Sequence, residues 1–134
     1  DLYTERIGER IRDSLGPLRR LLDAGLTVAC GSDWGPKNVF EQIELAQTHR
    51  FCGSGYRNLG PAQPVTREEA VLMWTRDAAR VLGWEGIGTL APGNHADLTI
   101  VDRDPLRCEL EELAATRVLR TVLAGETVFD SGEL

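Results

Sequence analysis

Asp33 is the residue of this chain whose type and setting best suit chemistry. It follows the run Leu26-Thr27-Val28-Ala29-Cys30, with Gly31-Ser32 before it and Trp34-Gly35 after it. Val28, Ala29 and Cys30 are apolar in succession, without the alternation of a half-exposed strand. Such a run suits a parallel strand covered on both faces. A carboxylate just past the C-terminal end of that strand sits where α/β barrels carry their reactive groups, and an exposed carboxylate there can accept a proton. Ser and Asp equally favour turns and helix caps, so a purely structural role for Asp33 stands beside the chemical one.

Few other residues compete. Trp34 is adjacent to Asp33, and Tyr56 and Arg57 lie in a Gly- and Pro-rich stretch over 52–65; these three are the candidate substrate contacts. A loop of that length is usually functional or a mobile connector, and both readings apply. The only histidines are His49 and His95. His49 falls near a helix C-terminus, where a positive imidazolium is favoured, and no second histidine stands at a metal-binding spacing from it. His95 precedes a tail strand and reads as surface structure. Cys30, Cys52 and Cys108 are odd in number and contain no CxxC pair, which supports neither a zinc knuckle nor a disulfide framework. Cys30 reads as a small buried hydrophobe, and the cysteine usage points to a reducing, cytoplasmic compartment.

These side chains need elements to carry them. Ile7, Ile11 and Leu15 recur every four residues and predict a helix over 4–14, interrupted at Gly16-Pro17. Pro17 opens a second helix carrying Leu18, Leu21 and Leu22, which Gly25 ends before the strand 26–30. Asn38 caps a helix running to about His49, with Glu41 placed to complete the cap and Phe40, Ile43 and Leu45 or Ala46 inward. Thr66-Arg67-Glu68-Glu69 is a capping box for a helix over 66–82, with Ala70, Trp74, Ala78 and Val81 or Leu82 as its buried stripe. Beyond Gly83 the character changes. Residues 96–102 read as an alternating strand and 109–115 as a short helical turn. Residues 118–123 and 127–130 form a hairpin joined across Ala124-Gly125-Glu126.

Composition narrows the class. The 134 residues suffice for one domain with a core, but fall short of the about 250 of a whole (β/α)8 barrel. Together with the start at Asp1, this suggests a piece of a longer protein. With 21 acidic and 15 basic residues, the net charge of −6 speaks against non-specific nucleic-acid binding. No apolar run approaches the roughly 20 residues that span a bilayer.

Taken in order, four segments resemble the end of a metal-dependent amidohydrolase. They are Leu-Leu-Asp-Ala-Gly-Leu-Thr-Val-Ala-Cys-Gly-Ser-Asp (21–33), Thr-Arg-Glu-Glu-Ala (66–70), Gly-Thr-Leu-Ala-Pro-Gly-Asn-His-Ala-Asp-Leu-Thr-Ile-Val-Asp (88–102) and Val-Leu-Arg-Thr-Val-Leu-Ala-Gly-Glu-Thr-Val (118–128). The branch they are most similar to is amidohydrolase family 3, with its N-substituted formamide deformylase-like proteins. The resemblance implies an α/β fold. Residues 1–85 would be the C-terminal part of a (β/α)8 TIM barrel, with 26–30 as its last strand. Residues 86–134 would supply strands of a small composite β-sandwich. It implies hydrolysis of a C–N bond, other than a peptide bond, in a small-molecule substrate. One or two divalent metals, commonly zinc, would be involved, with Asp33 as the carboxylate that touches the metal and handles the proton of the hydrolytic water.

The family's His-x-His, its metal-bridging residue and its two later histidines have no counterpart here, and a zinc site needs three or four ligands. This stretch alone is therefore expected to be inactive, its partner being the rest of the barrel, on the same or a separate chain. The alternative is a catalytically inactive folding or subunit-interaction module, prone to self-association through bare strand edges. A phosphate site at Gly31-Ser32 is a third reading, disfavoured by the lack of a basic residue within Gly31–Pro36.

Overall fold

The computed structural model describes residues 2–50 and 63–134, with side-chain surroundings undescribed for 2–4 and 11–13. Among the described residues five α-helices and a small sheet follow one another: α1 (Leu2–Ile7), α2 (Leu18–Asp23), α3 (Val39–Thr48), α4 (Arg67–Met73), α5 (Arg76–Leu82), then β1 (Leu98–Val101), β2 (Val118–Leu123) and β3 (Glu126–Asp130). A 3-10 turn at Glu9–Ser14 follows α1, and another at Leu110–Ala115 precedes β2.

The helix expected over 4–14 is two pieces. Gly8 takes φ +90, outside the helical region, and the chain re-forms beyond it as a tighter 3-10 turn. The helix expected over 66–82 also divides, and the cause is local. The Thr75 hydroxyl donates to the Val71 carbonyl at 2.9 Å, the acceptor that the Thr75 amide would use in an unbroken helix. That amide turns to Leu72 instead, and Thr75 leaves helical geometry at φ −126, ψ −99. The break redirects the buried stripe: Ala70, Met73 and Ala79 are buried, whereas Val81 and Leu82 are exposed and Trp74 is half-buried. Gly88 crosses this break at φ +82. A Cβ there would lie 2.8 Å from Ala79 Cβ and 3.0 Å from the Thr75 carbonyl oxygen.

Residues 26–30 form no regular element, and among the described residues they join no sheet. This corrects the expected buried parallel strand. Leu26 and Thr27 are exposed, and Val28, Ala29 and Cys30 are half-buried. The physical reason is pairing. A central parallel strand needs a hydrogen-bonding neighbour along each edge, and the described residues of this chain set none beside it. Its fixed points are the Leu26 amide on Leu21 O and the Cys30 amide on Met73 O.

The sheet that does form is antiparallel, in the order β1-β2-β3, with Leu98 opposite Val122 and Thr121 opposite Phe129. Ala124 and Gly125, both at positive φ, make the two-residue turn of the hairpin, as the alternation around them predicts. The core gathers Phe40, Ile43 and Ala46 of α3, Val65 just before α4, Ala70 and Met73 of α4, and Leu113 from the 3-10 turn packed on α3. Leu18, Leu22, Val28 and Cys30 pack against it. Two charged groups fasten it at a distance: Arg19 reaches Glu69 of the α4 capping box, and Arg67 donates to Gln47 Oε1 and to the Pro105 and Cys108 carbonyls.

Candidate functional site

Asp33 occupies a tight exposed turn that follows the irregular segment 26–30. Its backbone is left-handed, φ +40, a region that Asp tolerates better than most side chains. Inside the turn the Gly35 amide donates to the Ser32 carbonyl, and the Lys37 ammonium donates to the Asp33 carbonyl. Asn38 then caps α3, its side chain accepting from the Phe40 amide at 2.9 Å. Glu41, expected to complete that cap, lies instead 3.9 Å from Arg50 Nη2. Asp33 thus stands in solvent between an irregular segment and a helix start. Trp34 projects beside it, 96 % exposed, with no wall against it among the described residues.

Tyr56 and Arg57 lie outside the described residues. Among the described residues no group of three or more His, Cys, Asp or Glu side chains is close enough to hold a metal ion. The donor set of the described residues therefore does not by itself fit a zinc centre. His49 ends α3 as a left-handed cap at φ 49, and partial burial lowers its pKa, opposed by a backbone hydrogen bond with Gln63. His95 is exposed, its amide bonded to Gly86 O at 2.7 Å, which bears out a surface role.

Two cavities open near these elements, and Asp33 and Trp34 line neither. A cavity of about 300 Å³ is bounded by Leu18, Cys30, Gln42, Ala46, His49 and Arg50 among others. The Cys30 thiol within it is pushed up by burial and rests 3.6 Å from Met73 Sδ, so it is a packing group rather than a nucleophile. A groove of about 540 Å³ between α5 and β1 is lined chiefly by apolar side chains, Trp74, Leu82, Trp84, Leu90 and Leu98 among them.

Gln42 is the residue at this site that sequence reasoning missed. Its Nε2 donates to the Pro36 carbonyl at 2.8 Å and packs on the Gly35 backbone, tying the Asp33 turn to α3. A polar residue on a helix between Glu41 and Ile43 gives no warning of that bond.

The chain is 34% identical over 116 residues to an N-substituted formamide deformylase of Arthrobacter pascens, covering 83% of this chain and 21% of that protein. It is 36% identical over 115 residues to an imidazolonepropionase of Deinococcus deserti, covering 84% of this chain and 26% of that one. The fold matches that of atrazine chlorohydrolase from Arthrobacter aurescens TC1, a structure complexed with zinc. The TM-score is 0.63 at 26% identity, over 85% of this chain and 27% of the other. The chain thus spans about a quarter of the length of these relatives. The model of the amidohydrolase family matches residues 1–129, and the chain belongs to that family.

Proposed function

We propose that this chain is the C-terminal part of a metal-dependent amidohydrolase that cleaves a C–N bond, other than a peptide bond, in a small-molecule substrate. Asp33 is its proton-handling carboxylate. One observation carries the reading: within a chain matched to the amidohydrolase family over residues 1–129, Asp33 is exposed in a left-handed turn that follows the apolar run 26–30. Strain of that kind gathers at functional positions. The names of the relatives supply the bond class, since a deformylase of N-substituted formamides parts a formyl carbon from nitrogen.

In this proposal residues 1–85 complete a (β/α)8 barrel and 86–134 contribute strands to a small β-sandwich. The metal, zinc by analogy with the chlorohydrolase structure, is held mainly by residues outside this chain. Asp33 contributes to that site and does the proton work. It takes the proton of the attacking water and passes it to the departing nitrogen, as a carboxylate within hydrogen-bond reach of both can. Trp34, Tyr56 and Arg57 are the proposed substrate contacts.

The test is Asp33→Asn in the full-length protein, which keeps the shape of the side chain and removes the base. Hydrolysis of an N-substituted formamide, followed by amine release, should fall by roughly 10²–10⁴-fold with metal content unchanged. Normal turnover by that variant removes Asp33 from the mechanism.

A second reading, an inactive folding or subunit-interaction module, is favoured by the apolar surface on and after α5, where Val81, Leu82, Trp84 and Leu90 are exposed. An active full-length protein that loses turnover on Asp33→Asn decides against it.

A further inference from the structure

We propose that Gln42 is a positioning residue for Asp33, holding the carboxylate-bearing turn against α3 through the Pro36 carbonyl. The inference rests on the proton-handling role proposed for Asp33.

Among the described residues no hydrogen bond reaches the Asp33 carboxylate, so the backbone sets its direction. That backbone is at φ +40, a conformation open to Asp but one of several, so contacts around the turn decide which one it keeps. The bonds from Gly35 to Ser32 and from Lys37 to Asp33 are internal to the turn. They tighten it without fixing it to anything. Lys37 is exposed, and its flexible stem makes a weak clamp.

Gln42 does what these cannot. Its part-buried amide donates to Pro36 O at 2.8 Å from a helix whose Phe40, Ile43 and Ala46 are in the core. The fit is close on the other side too. A Cβ on Gly35 would lie 2.9 Å from Gln42 Nε2 and 2.9 Å from the Ser32 carbonyl oxygen, so glycine is what lets the amide reach the turn. The path from core to carboxylate is therefore Ile43, Gln42, Pro36, Asp33. A base acts only within hydrogen-bond reach of its proton, and a displacement of about 1 Å can cost about 10²-fold in rate.

Gln42→Met and Gln42→Glu both remove the donor at similar length, and both are made in the full-length protein, alone and with Asp33→Asn. The expected result is a fall in kcat of roughly 10–100-fold on the formamide probe, with KM and melting midpoint little changed. No further fall is expected in the Asp33→Asn background. Gly35→Ala, which crowds the same contact, should behave alike. Without substrate, amide hydrogen exchange at Gly35 should quicken in Gln42→Met. Unchanged exchange, an unchanged kcat where Asp33→Asn is inactive, or an equal loss in both backgrounds overturns the role of Gln42 and leaves that of Asp33 standing. Loss of folding in both Gln42 variants overturns it too, since a positioning residue is dispensable to the fold. Full activity of Asp33→Asn alone instead removes the base reading, and this inference with it.

Discussion

Arg19 and Glu69, fifty positions apart, meet in a two-pronged ion pair: Nη1 to Oε2 at 2.8 Å and Nη2 to Oε1 at 2.9 Å. Glu69 Oε2 also accepts from the Thr66 amide at 2.8 Å, so one carboxylate closes the α4 capping box and fastens α2 to α4. The Arg19 side chain, and next the Thr66 amide, hold the Glu69 carboxyl down at about 2 from its ordinary 4.5. A carboxyl lowered by folding stabilises the fold above its unfolded value, and that contribution goes as the folded form takes up its proton. The melting midpoint should therefore decline as pH drops from about 4.5 to about 2. Glu69→Gln should be less stable at neutral pH and should show a shallower decline, the remainder belonging to Asp102 and Asp130, whose carboxyls are also lowered by their partners. Thermal melts of both forms across this window check it, and parallel curves would sink the assignment.

Leu113 is wholly buried and brings the 3-10 turn before β2 onto α3 and α4. Leu113→Ala should cost about 2–5 kcal/mol, the range for a leucine truncated in a core that collapses only partly. Urea unfolding measures it. A cost below about 1 kcal/mol would mean that the site is less tightly packed than its burial indicates.

The 134-residue chain by itself should hold zinc weakly and give it up to a chelator. Metal analysis after dialysis against chelator reads this directly. Stoichiometric zinc surviving that treatment would require ligands beyond Asp33 within this stretch.

The same chain should also self-associate. β1 and β3 each leave one edge unpaired among the described residues, and Trp84 and Leu90 stand 61 % and 81 % exposed. Light scattering across a concentration series should show mass rising with concentration. A concentration-independent monomer with a sharp melt would contradict it.

What could be read from the chain in advance was whatever is decided within a few residues. The Thr66–Glu69 box, the Asn38 cap and the inward set Phe40, Ile43 and Ala46 are local choices and stand as expected, as does the hairpin across Ala124-Gly125-Glu126, except that Glu126 belongs to β3. The segment 26–30 failed because a strand is a relation with neighbours, and its apolar run states only the wish for them. The split at Thr75 escaped notice because periodicity continues through it, and the hydroxyl's preference for Val71 O shows only in three dimensions. At the site, glycine on either side of Asp33 announced a turn. The amide of Gln42 that anchors it did not, since a helix-surface glutamine looks the same whether it meets water or a carbonyl.

The crossing of Gly88 over the broken helix has a consequence for mutational tolerance. Position 88 is restricted twice over, by a φ of +82 and by backbone within 3.0 Å of any added carbon. Gly93, at φ +93, has nothing within 4 Å of the same point and is restricted once. In a library that randomises both, position 93 should still admit Asn and Asp, residues that visit the left-handed region. Position 88 should return glycine alone. The difference would make residue 88 a hidden fixed point in the drift of this segment, unmoved while the exposed turns on either side change.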